Sequence, residues 1–410
     1  MKRYILPILS ILFLCSGIAE ANDTSGTLLP TGEIRFDKQP GIVLKHEALL
    51  LSDTVTVDYL FENTTDKSVE TTIFFPIPTV GPITAYFEDP HDFQFRVWSN
   101  EQEVAPALSR KITLNGTDVT KYFDLMGINS YAKTIRTDPE TYGLDLETAA
   151  VPLRKLSLAK QQELEKLGMI SKGCLQEEEG KCTHDPKVYH LVPAQYHQDV
   201  MYYWEQTFPP HQIVHIRHEY KPSFRSNSIA SPNSFSSDQI WKQNREYDKK
   251  LHGCWKEAAY IITTANNWQT PIGKFNLLIW GGVGAAVSAA PENDIYQAIP
   301  ASLRLAPKNY LLDTRRNFIP SSEIVFELAD KYDEAHNSSF PNNIFPQLYR
   351  VDGPARVRST PNGKKITTLE NGDYVWAYPA DTKDWFVVLL DEKTTGYTYR
   401  TNLISFGKID

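Results

Sequence analysis

The sequence predicts a mainly β chain with a helical insertion (α+β), in which a β-sandwich-like body is followed by a small C-terminal β-barrel. Three observations carry this. Apolar and polar residues alternate strongly over Ile34–Pro78, as in Val55, Val57, Tyr59 and Phe61, the period-two pattern of a strand with one buried face. Helical spacing is confined to about residues 118–170, where Leu153, Leu156, Leu164 and Leu167 recur at helix-like intervals. From Gln347 to Phe406, five short strand-like runs are separated by polar turns, and no helical period survives.

In chain order, the strand at Val55–Phe61 is expected to pair as a hairpin with Val69, Thr71, Ile73 and Phe75, through a turn at Glu62–Lys67. Pro76 and Pro78 are expected to end the second strand, because proline cannot donate to a ladder. Phe93, Phe95 and Val97 continue the alternation, Asn115-Gly116 reads as a turn, and a sandwich over roughly Gly26–Gly116 follows. Asp118 or Thr120 can cap a short helix that runs to Met126 and stops at Gly127. β structure resumes at Met201–Phe208 and His211–Tyr220. Ser223–Ser237 reads as a loop. Gly253–Thr264, Phe275–Trp280, Leu303–Leu305 and Ile324–Leu328 supply further strands.

The C-terminal runs are Ala355–Arg358, Lys364–Leu369, Asp373–Ala377, Trp385–Leu390 and Gly396–Tyr399, punctuated by Asn362-Gly363 and Asn371-Gly372. Asn-Gly supplies the positive φ angles that tight turns need. Trp385, Val387 and Leu389 share one face of their strand and Phe386, Val388 and Leu390 the other. Such a strand is buried on both sides, or covers a barrel with one face and a partner domain with the other. The segment resembles bacterial SH3-like domains through Val357-Arg358-Ser359-Thr360-Pro361, Leu369…Gly372, Trp385-Phe386-Val387 and Gly396-Tyr397-Thr398. The family more often closes with Gly-Trp-Val, so Tyr397 and Thr398 depart from its pattern. The resemblance implies binding of peptides or cell-wall material. Tyr374, Trp376, Tyr378 and Tyr397 are the candidate ligand-binding residues; the competing role for such rings is to fill a very small core.

Lys2, Arg3, the apolar run Tyr4–Leu14 and Ala19-Glu20-Ala21 have the layout of a secretory signal over residues 1–21. The expected organisation is therefore a body over residues 22–340 and an SH3-like domain over residues 348–410. No later stretch is long and apolar enough for a second anchor, so no transmembrane anchor is expected in the mature chain. With 41% hydrophobic and 22% charged residues the composition is that of a globular protein. Removing Lys2, Arg3 and Glu20 takes away a net +1 and moves the charge from -8 to -9. With no basic stripe to neutralise phosphates, nucleic acid is not an expected partner. Cys174 and Cys182 bracket a short acidic loop. In an oxidising compartment a disulfide closing it is the simplest expectation, worth about 2–3 kcal/mol; a zinc reading with His184 lacks the usual CxxC spacing. Cys254 is left over.

Recognisable catalytic sets are absent. Gly281-Gly282-Val283-Gly284 is followed by Ala285–Ala290 and Pro291, not by the helix that a phosphate-cradling loop needs. His211, His215 and His218 lie close together, yet on one strand His218 points away from the other two, so they cannot converge on a metal. His218 is expected in the core and the others in solvent. Cys254 and His252 lack a third orienting group. No cofactor is expected.

The body resembles a bacterial family known as domain of unknown function 4424. The likeness is carried by Asn22-Asp23-Thr24-Ser25, Phe75-Pro76-Ile77-Pro78, Asp118-Val119-Thr120, Tyr203-Trp204-Glu205-Gln206-Thr207-Phe208-Pro209, His218-x-Tyr220-x-Pro222 and Trp268-x-x-Pro271-Ile272-Gly273-x-Phe275. Where the family often carries a cysteine, this chain reads Val287-Ser288-Ala289-Ala290, which puts in doubt any disulfide from Cys254. The resemblance implies no activity. The expected function is that of a periplasmic or secreted, non-catalytic binding or scaffold protein of the cell envelope, tethered by its SH3-like module to peptidoglycan or a protein peptide. The alternative is a hydrolase of envelope polymers, which needs His215, His218 or Cys254 to meet a carboxylate in a cleft.

Overall fold

The computed structural model describes residues 24–28, 34–36, 38–77, 90–126, 156–172, 177–178, 181–182, 189–191, 196–228, 254–280, 285–290, 310–321, 323–329, 345–391 and 393–408. Residues 1–21, the expected signal, and Cys174 lie outside them, as do Gly281–Gly284 and Leu303–Leu305. Cys182 is described by its backbone alone, opposite Glu177 in a two-residue ladder.

The chain is mostly β, as expected, and its sheets pack as sandwiches. A seven-stranded sheet orders its strands as Tyr310–Phe318, Ile272–Trp280, Ile42–Leu51, Val55–Asn63, Ile213–Tyr220, Arg96–Ser99 and Gln102–Val104. One pairing, Ile42–Leu51 with Ile272–Trp280, is parallel. A six-stranded sheet built around Val69–Ile77 and Tyr196–Phe208, and a four-stranded sheet containing Cys254–Tyr260 and Glu323–Ala329, both contribute to the same core. Its largest fully buried side chains include Tyr59, Phe61, Phe75, Phe208, Tyr260 and Phe275. The sandwich is therefore not completed within Gly26–Gly116; strands from residues 196–329 are integral to it.

The Val55 and Val69 strands do not form the expected hairpin. The first pairs with Ile42–Leu51 and Ile213–Tyr220, the second with Thr24–Leu28 and Tyr196–Phe208. They face each other across the core. Asn63 holds the arch between them, donating from Nδ2 to the Lys67 carbonyl at 2.8 Å and the Phe208 carbonyl at 2.8 Å. Pro76 does not end its strand either; it sits opposite Met201. The neighbouring strand pairs only with Thr72, Ile73 and Phe74, so it asks no donor of Pro76.

The helical insertion packs on the same face of the six-stranded sheet as the main core, farther toward the Tyr196 end of the Tyr196–Phe208 strand, where Leu114 lies opposite Tyr196 and Ile112 opposite Gln198. Ile112 and Leu114 meet Tyr122 and Phe123 of the Thr120–Met126 helix and Leu164 of the Leu158–Lys166 helix. Asp118 accepts the Thr120 N–H at 2.9 Å, and Ser157 caps the second helix. Among the described residues no helix is long and apolar enough to cross a membrane.

The strand Ile42–Leu51 carries a bulge, its register shifting between Leu44 and His46. The extra residue, Lys45, flips the alternation. Leu44 and Leu49 face the core with the buried Glu47, while His46, Ala48 and Leu50 face outward. Gly273 of the Pro-Ile-Gly motif packs on this bulge: a Cβ there would lie 2.6 Å from the Lys45 carbonyl oxygen. Gly273→Ala is expected to destabilise by about 1–3 kcal/mol, seen as a lower urea midpoint with an unchanged slope. An unmoved midpoint would mean that the bulge yields without strain.

The C-terminal strands run in the order Lys365–Leu369, Ala355–Arg358, Thr395–Tyr399, Trp385–Leu389, Tyr374–Pro379, Gln347–Val351 and Leu403–Ser405. The expected barrel is not closed, since the first and last strands do not pair with each other. Side chains fill the gap instead: Leu369 and Leu403, from the two end strands, pack on one core of Val357, Val375, Phe386 and Val388. Asn362 and Gly372 hold the positive φ angles, 63° and 85°.

Candidate functional site

The outward face of the seven-stranded sheet is apolar where a solvated face would be polar. Ala48, Leu50 and Leu278 are nearly inaccessible there because Leu348, Trp376 and Leu389 of the C-terminal sheet cover them. The Trp385–Leu389 strand is thus apolar on both sides for the second of the expected reasons: Phe386 and Val388 fill the C-terminal core, and Leu389 faces the body.

Polar groups are built into this seam. Asn276 donates from Nδ2 to Thr314 Oγ1 at 2.9 Å, which turns its Oδ1 toward His46 Nε2 at 2.7 Å. The His46 nitrogen therefore donates. Tyr374 and Phe406 meet that ring edge-on, with centroids at 4.4 and 4.8 Å. Burial pushes the His46 pKa down to about 3; the Asn276 hydrogen bond opposes this and the Lys274 charge adds to it. Lys274 Nζ sits 4.2 Å above the Tyr374 ring, and burial, then Arg316, lower its pKa. Nearby, His215 Nε2 lies 2.7 Å from Asp58 Oδ1, and Arg217 approaches the other Asp58 oxygen at 3.5 Å. Gly407 closes over the His215 ring, leaving no room for a side chain at that position.

The structure separates the three histidines. His211 is exposed in a turn beside Asp66, at 2.8 Å. His215 is buried in the seam, not solvated as expected, because strand alternation cannot reveal the tail that covers it. His218 lies on the opposite face, among Tyr59, Phe75, Phe95 and Trp204, and burial holds its pKa well below the usual value. Among the described residues no group of three His, Cys, Asp or Glu could hold a metal. The His215–carboxylate meeting that a hydrolase needs does exist, but under Gly407 rather than in an open cleft. The Cys254 side chain lies outside the described residues.

The four candidate aromatics fall on one face of the C-terminal sheet. Trp376, 6% exposed, and Tyr374 lie in the seam. Tyr378 reaches Trp280 of the body, centroids 5.9 Å apart. Tyr378 and Tyr397 are both opposite Val387, so they share its face across three strands. Burial raises the Tyr378 pKa, and the Tyr397 phenol adds to this. Beyond them Tyr399, 45% exposed, packs on Trp385 with centroids 4.1 Å apart and the rings tilted by 33°. At the edge of the seam, a cleft of about 700 Å³ opens between the Tyr310–Phe318 strand and the C-terminal sheet, with Tyr374, Trp376, Thr314 and Asp373 among its walls. His46, Asp58, Asn276 and this cleft have no motif; the one signal for the seam is a pair of strands, Ile42–Leu51 and Trp385–Leu389, that are apolar on both faces.

One solved structure with a likeness to this chain is described as a "putative nutrient binding protein" from Legionella pneumophila subsp. pneumophila str. Philadelphia 1. It is 12% identical, with 75% of this chain and 70% of that chain covered, at a TM-score of 0.31, too distant to carry an argument. No curated protein matches. The family model described as a domain of unknown function (DUF4424) matches residues 21–259 and 232–287. The match takes in most strands of the sandwich, though not Tyr310–Phe318 or Glu323–Ala329, together with the Pro-Ile-Gly segment that packs on its bulge, and the chain belongs to this family.

Proposed function

We propose that this is a non-catalytic binding or scaffold protein of the bacterial cell envelope. Residues 1–21 export it, residues 22–340 form the body, and residues 348–410 form an SH3-like module that holds peptidoglycan or a peptide partner. Cys174 and Cys182 form a disulfide in that compartment. The observation that carries the binding role is the aromatic face of the C-terminal sheet. It continues past the seam through Tyr378 and Tyr397 to the exposed Tyr399, and exposed aromatic surface beyond the needs of a core marks a contact site.

Retention of the full mature chain on purified cell-wall sacculi tests the tether. The protein is expected to be held well above an albumin control. Joint Tyr397→Ala and Tyr399→Ala substitution is expected to cut retention about tenfold, with little change in melting temperature. Retention at the albumin level, or equal retention of the variant, would sink this assignment.

A further inference from the structure

We propose that the outward aromatic face of the C-terminal sheet binds an acidic peptide, with the peptide carboxylates over the Ala355–Leu369 hairpin and its apolar side chains on Tyr397 and Tyr399. The inference rests on the binding role above and deepens it: it selects a peptide and gives that peptide its charge.

The hairpin of the Ala355–Arg358 and Lys365–Leu369 strands carries Arg356, Arg358, Lys364 and Lys365 and no carboxylate, in a chain whose net charge is -8. Among the described residues no carboxylate pairs with any of these four cations. Two of them break a rule of sheet pairing. Arg358 and Lys365 stand directly opposite each other, where like charges are destabilising. A bulge produces this pairing. Val357 lies opposite Thr367, so an unbroken register would set Ile366 against Arg358; the shift after Val357 brings Lys365 there instead. On its other side Arg358 lies opposite Tyr397, so both cations share a face with the aromatic row. Arg356 joins them, since its neighbours Ala355 and Val357 point into the C-terminal core and its own side chain is exposed. Arg358 donates from Nη1 to the Gly363 carbonyl at 2.8 Å, which leaves guanidinium donors for a ligand. A local rule broken with no compensating partner in the fold is expected where a site binds something.

The arrangement selects the ligand. The Arg358 and Tyr397 strands are neighbours, about 4.8 Å apart, so the ligand must offer an anion and a flat or apolar group close together. An acidic peptide does this: its carboxylates pair with arginine and lysine, and its apolar side chains lie on the phenol rings. A neutral glycan could stack on the rings but would leave the repulsion between Arg358 and Lys365 in place. A long polyanion, nucleic acid included, needs cations spread along its backbone, and here they are confined to one hairpin. The other end of the row has the opposite sign. Burial first, then Tyr397 and Asp381, raise the Tyr378 pKa, which places a carboxylate near that ring. The two ends together set the direction of the peptide, acidic side chains toward the hairpin and away from Tyr378.

Calorimetric titration of the full mature chain tests this. The probe is a blocked hexapeptide alternating glutamate with tyrosine, and the comparisons are its glutamine and lysine counterparts, polygalacturonate and phosphatidylglycerol vesicles. The acidic peptide is expected to saturate with a Kd below about 1 mM and to weaken about threefold or more between about 50 and 300 mM salt. It is expected to bind about tenfold more tightly than the glutamine peptide, and the lysine peptide to give no saturable heat. Joint Arg356→Gln and Lys365→Gln substitution is expected to weaken the acidic peptide about tenfold. The melting temperature should not fall, because the like-charged pair is removed. No saturation by the acidic peptide, equal affinity for the glutamine peptide, tighter binding of polygalacturonate or the vesicles, or full affinity in the double variant would overturn the inference. Sacculus retention that still depends on Tyr397 and Tyr399 while the acidic peptide fails would remove this inference alone and leave the binding role standing.

Discussion

Trp268→Ala is expected to cost about 3–5 kcal/mol, the range for removing a fully buried large aromatic. Trp268 is 2% exposed, and it packs against Phe61 at 4.6 Å and Phe208 at 6.4 Å between centroids. Those two rings come from different sheets, so the indole joins both layers of the sandwich. Its backbone also closes the short Thr263–Asn267 turn, donating to the Ala265 carbonyl at 3.3 Å. At about 2–4 °C per kcal/mol for a domain of this class, the thermal midpoint should fall by roughly 6–20 °C. Phe345→Ala is the control: its ring is 48% exposed, and surface substitutions usually stay within about 0.5 kcal/mol. A loss below about 1 kcal/mol at Trp268 would show that the space left by the indole collapses without cost, and that it does not hold the layers together.

What the sequence reveals and what it hides follow from the range of the interactions. The C-terminal strands were legible because their signals are local: alternating apolar residues, with Asn362 and Gly372 at positive φ. The short helices were legible from Asp118 and from Leu164. The Val55–Val69 hairpin was misread because alternation tells which face is buried, not which strand lies alongside. Two strands facing each other across a core read the same as two strands paired at their edges. His215 was misread for a related reason, since its cover comes from Gly407, far along the chain. The bulge at Lys45, which sends His46 outward and Glu47 inward, breaks the very period used to assign faces. The cleft was invisible, because Asp313, Asp373 and Asp391 are brought together only when the C-terminal sheet docks.

That docking should be sensitive to acid. His46 sits in the seam with a pKa pushed down to about 3, chiefly by burial, while an unfolded histidine titrates near 6.5. Below about pH 6.5 the unfolded chain takes up a proton that the folded site refuses, so stability is full above that pH and declines as pH falls toward 3. At pH 5 the loss from this one group is about 2 kcal/mol. Asn276, Lys274 and Asp58 are the polar groups acting on the ring; the first and last favour its charged form, and Lys274 opposes it. His218 carries the same sign, since burial alone holds its pKa low. His46→Gln can keep the hydrogen bond to Asn276 and cannot titrate. Between about pH 7.5 and pH 5 the wild type is expected to lose about 2 kcal/mol more than this variant in urea melts, with the His218 contribution common to both and cancelling. Parallel losses in the two proteins would show that His46 is not held neutral by the seam. Because Tyr374 of the C-terminal sheet and Phe406, just past its last strand, form two walls around that ring, protonating it loads the contact between sheet and body.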